Sequence, residues 1–156
     1  MILLKWNIKL QKLGSTTCCL YGSYTSGRND NFSLYCAGSS YYAYWRYADK
    51  LYQQQKFEND TLYEIEANWN TIKVNENTYT TTFTETEFIT YNTFYIGHIN
   101  SSASPKIRGR IYSFEVVGKY KFIPCYKKED NTVGMYEMYT KTFYPATGTL
   151  TLGNKV

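Results

Sequence analysis

The stretch that decides the fold is Leu4-Lys5-Trp6-Asn7-Ile8-Lys9-Leu10. Every second residue in it is apolar, and the residues between them are lysine or asparagine. Because successive side chains of a β-strand point to opposite faces, this period of two predicts a strand with one face buried and the other in water. A helix would repeat its apolar positions every three or four residues instead. The stretch therefore predicts a sheet that packs one face against a second layer.

Similar short segments follow along the chain, separated by residues that favour turns. Gly38-Ser39 and Asn75-Glu76-Asn77 predict tight turns between neighbouring strands. Residues 48–60 are polar and charged, and they predict a loop with at most one helical turn. No segment has a convincing helical stripe, so the chain is predicted to be an all-β sandwich or barrel. The further predicted strands are residues 16–24, 31–37, 40–47, 62–68, 71–74, 78–83, one within 88–99, 106–117, 120–126, 133–139 and 142–152.

The composition agrees with one all-β domain over residues 1–156 and excludes several classes of protein. Tyrosine supplies 18 residues and aromatic residues 19% of the chain, a bias that favours strands over helices. The 43% of apolar residues is too high for a disordered chain. The net charge of +4 is small and its basic residues are scattered, so no nucleic-acid interface is predicted. Apolar runs are only a few residues long, so no insertion into a membrane is predicted.

The cysteines and the single histidine do not predict a zinc site. No C-x-x-C pair occurs, and buried free thiols are expected instead. Residues 1–10 have no basic start and no cleavage site, so no signal peptide is predicted and folding in a reducing cytoplasm is expected. The residues concerned are Cys18, Cys19, Cys36, Cys125 and His98.

The C-terminal third carries a longer pattern of motifs. Residues 106–114 read KIRGRIYSF, residues 122–125 read FIPC and residues 133–137 read VGMYE, followed by Phe143-Tyr144 and Gly148-Thr149. This pattern resembles the concanavalin A-like (laminin G-type) domains of bacteriophage particles and gut-bacterial surface proteins. In that family a KGRIYSF strand precedes FIPC, VGLYD and FY segments. The resemblance implies a two-sheet antiparallel jelly roll.

The resemblance extends to the middle of the chain, with one departure at the start. Residues 31–35 and the turn at Asn75 match family segments. Family members begin with a strand such as YIESTGTQYIDTG, which is not found before the segment that starts at Ile2. We therefore expect either a chain that begins inside the fold or a sheet with a missing edge strand. An open edge invites pairing with another chain, so an oligomer or a larger assembly is expected.

Glycosidase chemistry has one incomplete match. Glucanases of this fold carry three acidic side chains on one strand face, and the best match here is Glu64, Glu66 and Asn68. Asn68 stands where the acid is needed, and an amide cannot donate that proton. His98 is the one candidate base, and no nucleophile elbow, phosphate loop or dinucleotide motif occurs. No catalytic residue is therefore predicted.

Aromatic residues on residues 41–47 favour carbohydrate binding. Sugars present flat C–H faces rimmed by hydroxyl groups, which suit aromatic rings flanked by polar groups. Because arginine is costly to bury, Tyr42, Tyr44 and Arg46 are predicted to form an outward stripe, with the Glu64–Asn68 pattern as its neighbour. The alternative is that these tyrosines fill the core. An outward stripe would also serve as an assembly interface.

Calcium is the one cofactor that the sequence leaves open. Asn29-Asp30-Asn31 and Glu129-Asp130-Asn131 group the oxygen ligands that calcium requires. Both segments form turns equally well, so no metal ligand is assigned.

The resemblance, the tyrosine-rich strands and the incomplete acid set predict a non-enzymatic, lectin-like binding or structural module. It is expected in a phage virion as a decoration, fibre or adhesion protein that contacts surface glycans or other subunits. The alternative is a phage-encoded protein that binds and inhibits a host protein, acting in the cytoplasm of the host bacterium. A glucanase is the third and disfavoured hypothesis.

Overall fold

The computed structural model of the chain describes residues 3–10, 18–23, 32–37, 42–47, 50–68, 70–80, 95–97 and 109–146. These residues form thirteen strands and no helix. They accordingly include no helix with the length and apolarity needed to cross a membrane. The strands are β1 Leu4–Leu10, β2 Cys18–Ser23, β3 Phe32–Ala37, β4 Tyr42–Tyr47, β5 Lys50–Lys56, β6 Leu62–Ala67, β7 Thr71–Val74, β8 Asn77–Thr80, β9 Tyr95–Ile96, β10 Gly109–Val116, β11 Tyr120–Tyr126, β12 Val133–Glu137 and β13 Thr142–Pro145.

The strands are arranged in two antiparallel sheets. The larger sheet has eight strands in the order β13-β12-β11-β10-β1-β6-β7-β8, and the smaller has five in the order β5-β4-β3-β2-β9. β1 pairs with β10 on one side and with β6 on the other, so the strand that opens the sequence pattern lies in the middle of the larger sheet. The predicted all-β, two-sheet antiparallel sandwich is confirmed.

The core lies between the two sheets and is centred on β1. Residues at positions 4, 6, 8 and 10 are buried, and the residues between them are half-buried, as the period of two predicts. The ring of Trp6 stacks on that of Tyr21 with 4.6 Å between centroids, and it lies 5.1 Å from that of Phe114. Because Tyr21 belongs to β2, this stack joins the two layers. Burial of such large side chains contributes roughly 1.5–3 kcal/mol each.

The alternation predicted for residues 62–68 is also confirmed. Tyr63, Ile65 and Ala67 are buried, whereas Glu64 is exposed and Glu66 is partly exposed. The face of β6 that carries the glutamates therefore points to solvent.

The prediction of a loop over residues 48–60 is wrong, because β5 occupies Lys50–Lys56 and pairs with β4. Among the described strands, β5 is the edge of the smaller sheet. An edge strand satisfies its backbone on one side only, and lysine is a common residue at sheet edges. The polar sequence KLYQQQK is therefore compatible with a strand in this position, although it lacks the alternation of a central strand.

The remaining strand predictions agree with the structure within the described residues. β7 and β11 have the predicted bounds, β12 and β13 end earlier than predicted, and the described part of β9 is Tyr95–Ile96. The predictions for Gly38-Ser39, residues 29–31 and His98 fall outside the described residues.

Candidate functional site

The predicted binding residues lie on two different sheets. Tyr42, Tyr44 and Arg46 belong to β4, which lies between β3 and β5 in the smaller sheet. The Glu64–Asn68 pattern lies along and just after β6, which is between β1 and β7 in the larger sheet. Its glutamates are on the face away from the smaller sheet, because the alternate residues of β6 face the core. The prediction that the two groups are neighbours is therefore wrong.

The backbone register of β4 agrees with an outward position for the predicted stripe. Trp45 is opposite Leu34, which is buried in the core. Since alternate residues of a strand belong to opposite faces, the positions of Tyr42, Tyr44 and Arg46 are on the face away from the larger sheet. Their part in binding stays a prediction.

The outer face of the larger sheet carries a row of alternating charges at one register. The row crosses five strands in the order Lys73, Glu66, Lys5, Glu115 and Lys121. Its last four residues line a shallow depression of about 260 Å³. The Nζ of Lys5 lies 3.1 Å from Oε1 of Glu66, and the Nζ of Lys121 lies 3.9 Å from Oε2 of Glu115. Opposite charges that face each other across strands stabilise the sheet modestly. The row is thus a solvated surface in which each carboxylate has a lysine beside it.

Asn68, the third position of the glucanase-like pattern, is a turn residue. Its Oδ1 accepts hydrogen bonds from the backbone N–H groups of Asn70 at 3.1 Å and Thr71 at 2.8 Å. This arrangement shapes the connection between β6 and β7, as asparagine often does in turns. Glu64 and Glu66 therefore have no third carboxyl group at the predicted spacing.

Of the two segments that the sequence leaves open for calcium, Glu129-Asp130-Asn131 is described, and it forms the turn between β11 and β12. Oδ1 of Asp130 accepts a hydrogen bond of 2.9 Å from the N–H of Thr132, which lowers the pKa of Asp130. Asn131 has a φ of 58° and donates its N–H to the carbonyl oxygen of Lys127 at 2.9 Å. These are the contacts of turn formers. Within the described part of the chain, no three His, Cys, Asp or Glu side chains are grouped as metal ligands.

The larger sheet carries aromatic side chains that the sequence pattern alone did not identify as a site. Phe122 on β11 is opposite Phe114, a core residue of β10, so it is on the core side of the sheet. Tyr120 and Tyr126 are an even number of residues away on the same strand, and Tyr144 on β13 shares this face. We call Tyr120, Phe122, Tyr126 and Tyr144 the aromatic strip.

The rings of the aromatic strip continue the core outward into solvent. The centroid of Phe122 lies 6.2 Å from that of Phe114, 6.1 Å from that of Tyr120 and 5.9 Å from that of Tyr144. Tyr120, Tyr126 and Tyr144 are 48%, 39% and 50% exposed. Among the described residues, the buried core cluster includes side chains of β1, β6, β7 and β10 of the larger sheet, whereas Phe122 packs at its margin. The β11–β13 part of the sheet therefore presents an apolar face that is only partly covered.

The described motif residues of the C-terminal third lie on β10, β11, β12 and β13, and the aromatic strip lies on β11 and β13, whereas residues 106–108 and 148–149 fall outside the described residues. No family model, curated protein or solved structure matches the chain. The concanavalin A-like relationship stays a prediction. The motif residues with described contacts have structural roles in strand packing and turn formation.

Gly134, in the VGMYE motif, allows β13 to lie close against β12. A Cβ atom at this position would overlap the carbonyl oxygen of Tyr144 and would lie 2.6 Å from Cζ of Phe143. The ring of Phe143 thus covers the glycine backbone, and the Nζ of Lys127 lies 5.1 Å from the centroid of that ring. The glycine and the later FY segment are a packing pair that positions Tyr144.

Glu137, at the end of the same motif, is a buried carboxylate that holds the turn between β12 and β13. Its Oε1 accepts the N–H groups of Lys121 at 2.8 Å and Tyr139 at 3.2 Å, and its Oε2 accepts both the N–H and the hydroxyl group of Thr140 at 2.6 Å. Burial raises the pKa of Glu137, but these hydrogen bonds together lower it from 4.5 to about 2. The only sign of this role in the sequence is an acidic residue at a strand end before a turn.

Proposed function

We propose that this protein is a non-enzymatic, lectin-like binding module that contacts sugar rings through the aromatic strip. The observation that carries the proposal is the exposure of Tyr120, Tyr126 and Tyr144, which is between 39% and 50% on regular strands. Contiguous apolar surface of this kind on a folded domain usually marks a site of interaction.

The chemistry of the strip suits a carbohydrate. A pyranose ring has a flat C–H face edged by hydroxyl groups, and tyrosine has a flat apolar ring with one hydroxyl group at its tip. The ring of Tyr120 stacks on that of Phe122, with 6.1 Å between centroids and 30° between the planes, so Tyr120 forms a platform that is backed by a second ring. The strands and the Gly134–Phe143 packing hold this platform in place, which limits the entropy lost on binding.

The expected strength of this contact is low for one copy of the chain. An aromatic contact contributes on the order of 0.5–1.5 kcal/mol beyond the area that it buries. Association costs roughly 4–15 kcal/mol in lost translational and rotational freedom, so a few rings give only weak binding. Several copies in one assembly would bind far more tightly through multivalency. The proposal therefore includes an assembly that presents many copies.

The resemblance to domains of phage particles and gut-bacterial surface proteins supports a virion as that assembly. In a virion the chain would act as a decoration, fibre or adhesion protein, with glycans of a bacterial surface as its ligands. Tyrosine is also enriched where proteins bind each other. A virion subunit or a host protein as the occupant of the aromatic strip is thus an outcome that the experiment has to separate.

Two contacts on the outer face support a role without catalysis. Asn68 uses its side-chain oxygen to hold a turn, and Glu66 pairs with Lys5 at 3.1 Å. The acidic pattern thereby contributes to local structure and to a solvated face.

The test is a glycan array with the purified chain, followed by titration of the glycans that bind. Tyr144→Ala and Tyr120→Ala should each weaken binding about 2- to 10-fold, which corresponds to the loss of one aromatic contact. Tyr139→Ala is the matched control, because Tyr139 is 54% exposed and its hydroxyl group donates to Glu115 on the outer face of the larger sheet, away from the strip. Its affinity should equal that of the wild type.

Three results would overturn the proposal. The first is an empty array combined with stoichiometric capture of one host or virion protein, which would favour a protein partner. The second is an equal loss of affinity in the Tyr139 control. The third is hydrolysis of a β-glucan that disappears in Glu64→Gln, which would make the protein an enzyme.

A further inference from the structure

The face of β11–β13 that carries the aromatic strip presents no exposed charge along its strands. The strand residues on this face are Tyr120, Phe122, Pro124, Tyr126, Val133, Met135, Glu137, Thr142 and Tyr144. Glu137 is the one residue of this set that is charged at neutral pH, and it is buried. A carboxylate has about four acceptor positions, and the four donors of Lys121, Tyr139 and Thr140 occupy those of Glu137. A ligand on this face therefore meets aromatic rings, aliphatic groups and hydroxyl groups.

The lysines of the same region are directed elsewhere. Lys121 alternates with Phe122 along β11, and its Nζ lies 3.9 Å from Oε2 of Glu115 on the outer face. Lys127 places its Nζ 5.1 Å from the ring centroid of Phe143, which alternates with Tyr144 and so belongs to the outer face as well. The other described lysines of this region lie in the turns at the strand ends, at positions 119, 128 and 141. The net charge of +4 would favour acidic ligands, whereas the strip itself favours uncharged ones.

The aromatic strip is long in one direction. Tyr120 and Tyr126 lie at the two ends of β11, six residues apart, which at about 3.3 Å per residue is roughly 20 Å. Phe122 and Pro124 occupy the same face between them, and Pro124 is exposed. A ligand that contacts both end tyrosines must therefore be extended along β11, and a single sugar ring is too short to do so.

We propose that the ligand of the aromatic strip is an uncharged oligosaccharide of equatorially linked pyranose rings that lies along β11, an inference that rests on the proposed function. Equatorial linkages keep successive rings in one extended ribbon, so that their C–H faces can stack on a row of side chains. Axial linkages wind the chain and turn successive rings away from such a row. A carboxylate or sulfate group on the sugar would lose hydration against the rings with no cation along the strip to replace it, which weakens binding.

The experiment titrates the purified full-length chain with four pentasaccharides. Cellopentaose and chitopentaose are neutral and equatorially linked, maltopentaose is neutral with axial linkages, and an equatorially linked pentasaccharide of glucuronate is anionic. At least one of the first two should bind about 10-fold more tightly than either of the others, which corresponds to the loss of two aromatic contacts. Its affinity should change by less than about 2-fold between low and high salt, because no ion pair is formed.

The direction of the ligand is tested by chain length. The neutral pentasaccharide that binds should bind more tightly than its disaccharide, because the longer chain reaches both ends of β11. Tyr126→Ala should reduce this advantage by about 2- to 10-fold. Tyr139→Ala is the matched control, since Tyr139 is exposed and contacts Glu115 on the outer face, and it should keep the whole advantage. The comparison of pentasaccharides needs the wild type alone, so it decides the inference even if Tyr126→Ala fails to fold.

The outcomes separate this inference from the proposed function. Sugar binding that Tyr144→Ala weakens, but that prefers the glucuronate chain or falls steeply with salt, would overturn the inference and leave the proposed function standing. A preference for maltopentaose, or an unchanged length advantage in Tyr126→Ala, would have the same meaning. Absence of binding to every saccharide would overturn the proposed function, and this inference with it.

Discussion

Two neighbouring residues of β6 offer a direct test of which face of the larger sheet is buried. Ile65 is 1% exposed and belongs to the core, whereas Glu66 points to the outer face and pairs with Lys5. Substitution of each by alanine changes adjacent positions on the same strand. The two residues differ in strand propensity by no more than about 1 kcal/mol, so a larger difference between the two variants reports burial.

The expected losses differ severalfold. Ile65→Ala removes three carbon atoms, which at about 0.8 kcal/mol per buried methylene amounts to roughly 2.4 kcal/mol before any cavity forms. With the cavity included, the free energy of unfolding should fall by about 2–5 kcal/mol. The side chains of Glu66 and Lys5 are 40% and 42% exposed, so their ion pair is screened by solvent. Glu66→Ala should therefore cost less than about 1 kcal/mol.

The assay is urea unfolding followed by tryptophan fluorescence, since Trp6 is 2% exposed and stacks on Tyr21 in the core. The urea midpoint should fall clearly for Ile65→Ala, with an unchanged slope, and it should barely move for Glu66→Ala. In thermal melts the Ile65→Ala variant should unfold roughly 4–20 °C earlier. A loss at Glu66 that equals or exceeds the loss at Ile65 would refute the assignment of faces and, with it, the sandwich.

Three further predictions concern other contacts. Glu137 has a pKa of about 2 in the folded protein against an ordinary 4.5, so its ionised form stabilises the fold above pH 4.5, and this contribution is lost as the pH falls towards 2. Urea unfolding between these pH values should show that the stability of Glu137→Gln depends less on pH than that of the wild type. An identical pH dependence in the two proteins would contradict the role of Glu137. Gly134→Ala should lower the free energy of unfolding by about 1–3 kcal/mol, because the added Cβ overlaps β13. Gly118→Ala is the control: its Cβ meets open space, but its φ of +76° should cost about 1–2 kcal/mol and leave the amide-exchange protection of β12–β13 intact. Equal effects of the two variants on that protection would argue against the overlap. A double-mutant cycle on Lys5 and Glu66 should give a coupling of about 0.2–1 kcal/mol that disappears at high salt, and a coupling insensitive to salt would be inconsistent with an exposed pair.

The alternation of apolar residues was sufficient to predict the faces of the central strands. β1 and β6 each bury the residues that the period of two selects, because one side of each strand lies against the smaller sheet. Residues 120–126 were also predicted with the bounds that β11 has. These predictions succeed because burial of one face is a local property of each strand.

Properties that depend on the partner of a strand were not predictable from the sequence. The period of two assigns a residue to a face but not to a sheet, so the Tyr42–Arg46 stripe and the Glu64–Asn68 pattern were wrongly expected to be neighbours. β5 was missed because a polar edge strand lacks the alternation that marks a central one. The exposure of Tyr120 and Tyr144 depends on how far the smaller sheet extends over the larger one, which no local pattern records.

The position of β1 divides the molecule in an unexpected way. It pairs on one side with β6, where Lys5 and Glu66 are 61 residues apart in sequence, and on the other with β10. Without β1, the eight-stranded sheet would separate into two meanders, β6–β8 and β10–β13, and the edges of β6 and β10 would be unpaired. A synthetic peptide of residues 3–10 should therefore restore the fold of a chain that lacks them, because it would supply the seven-residue strand with which both β6 and β10 pair.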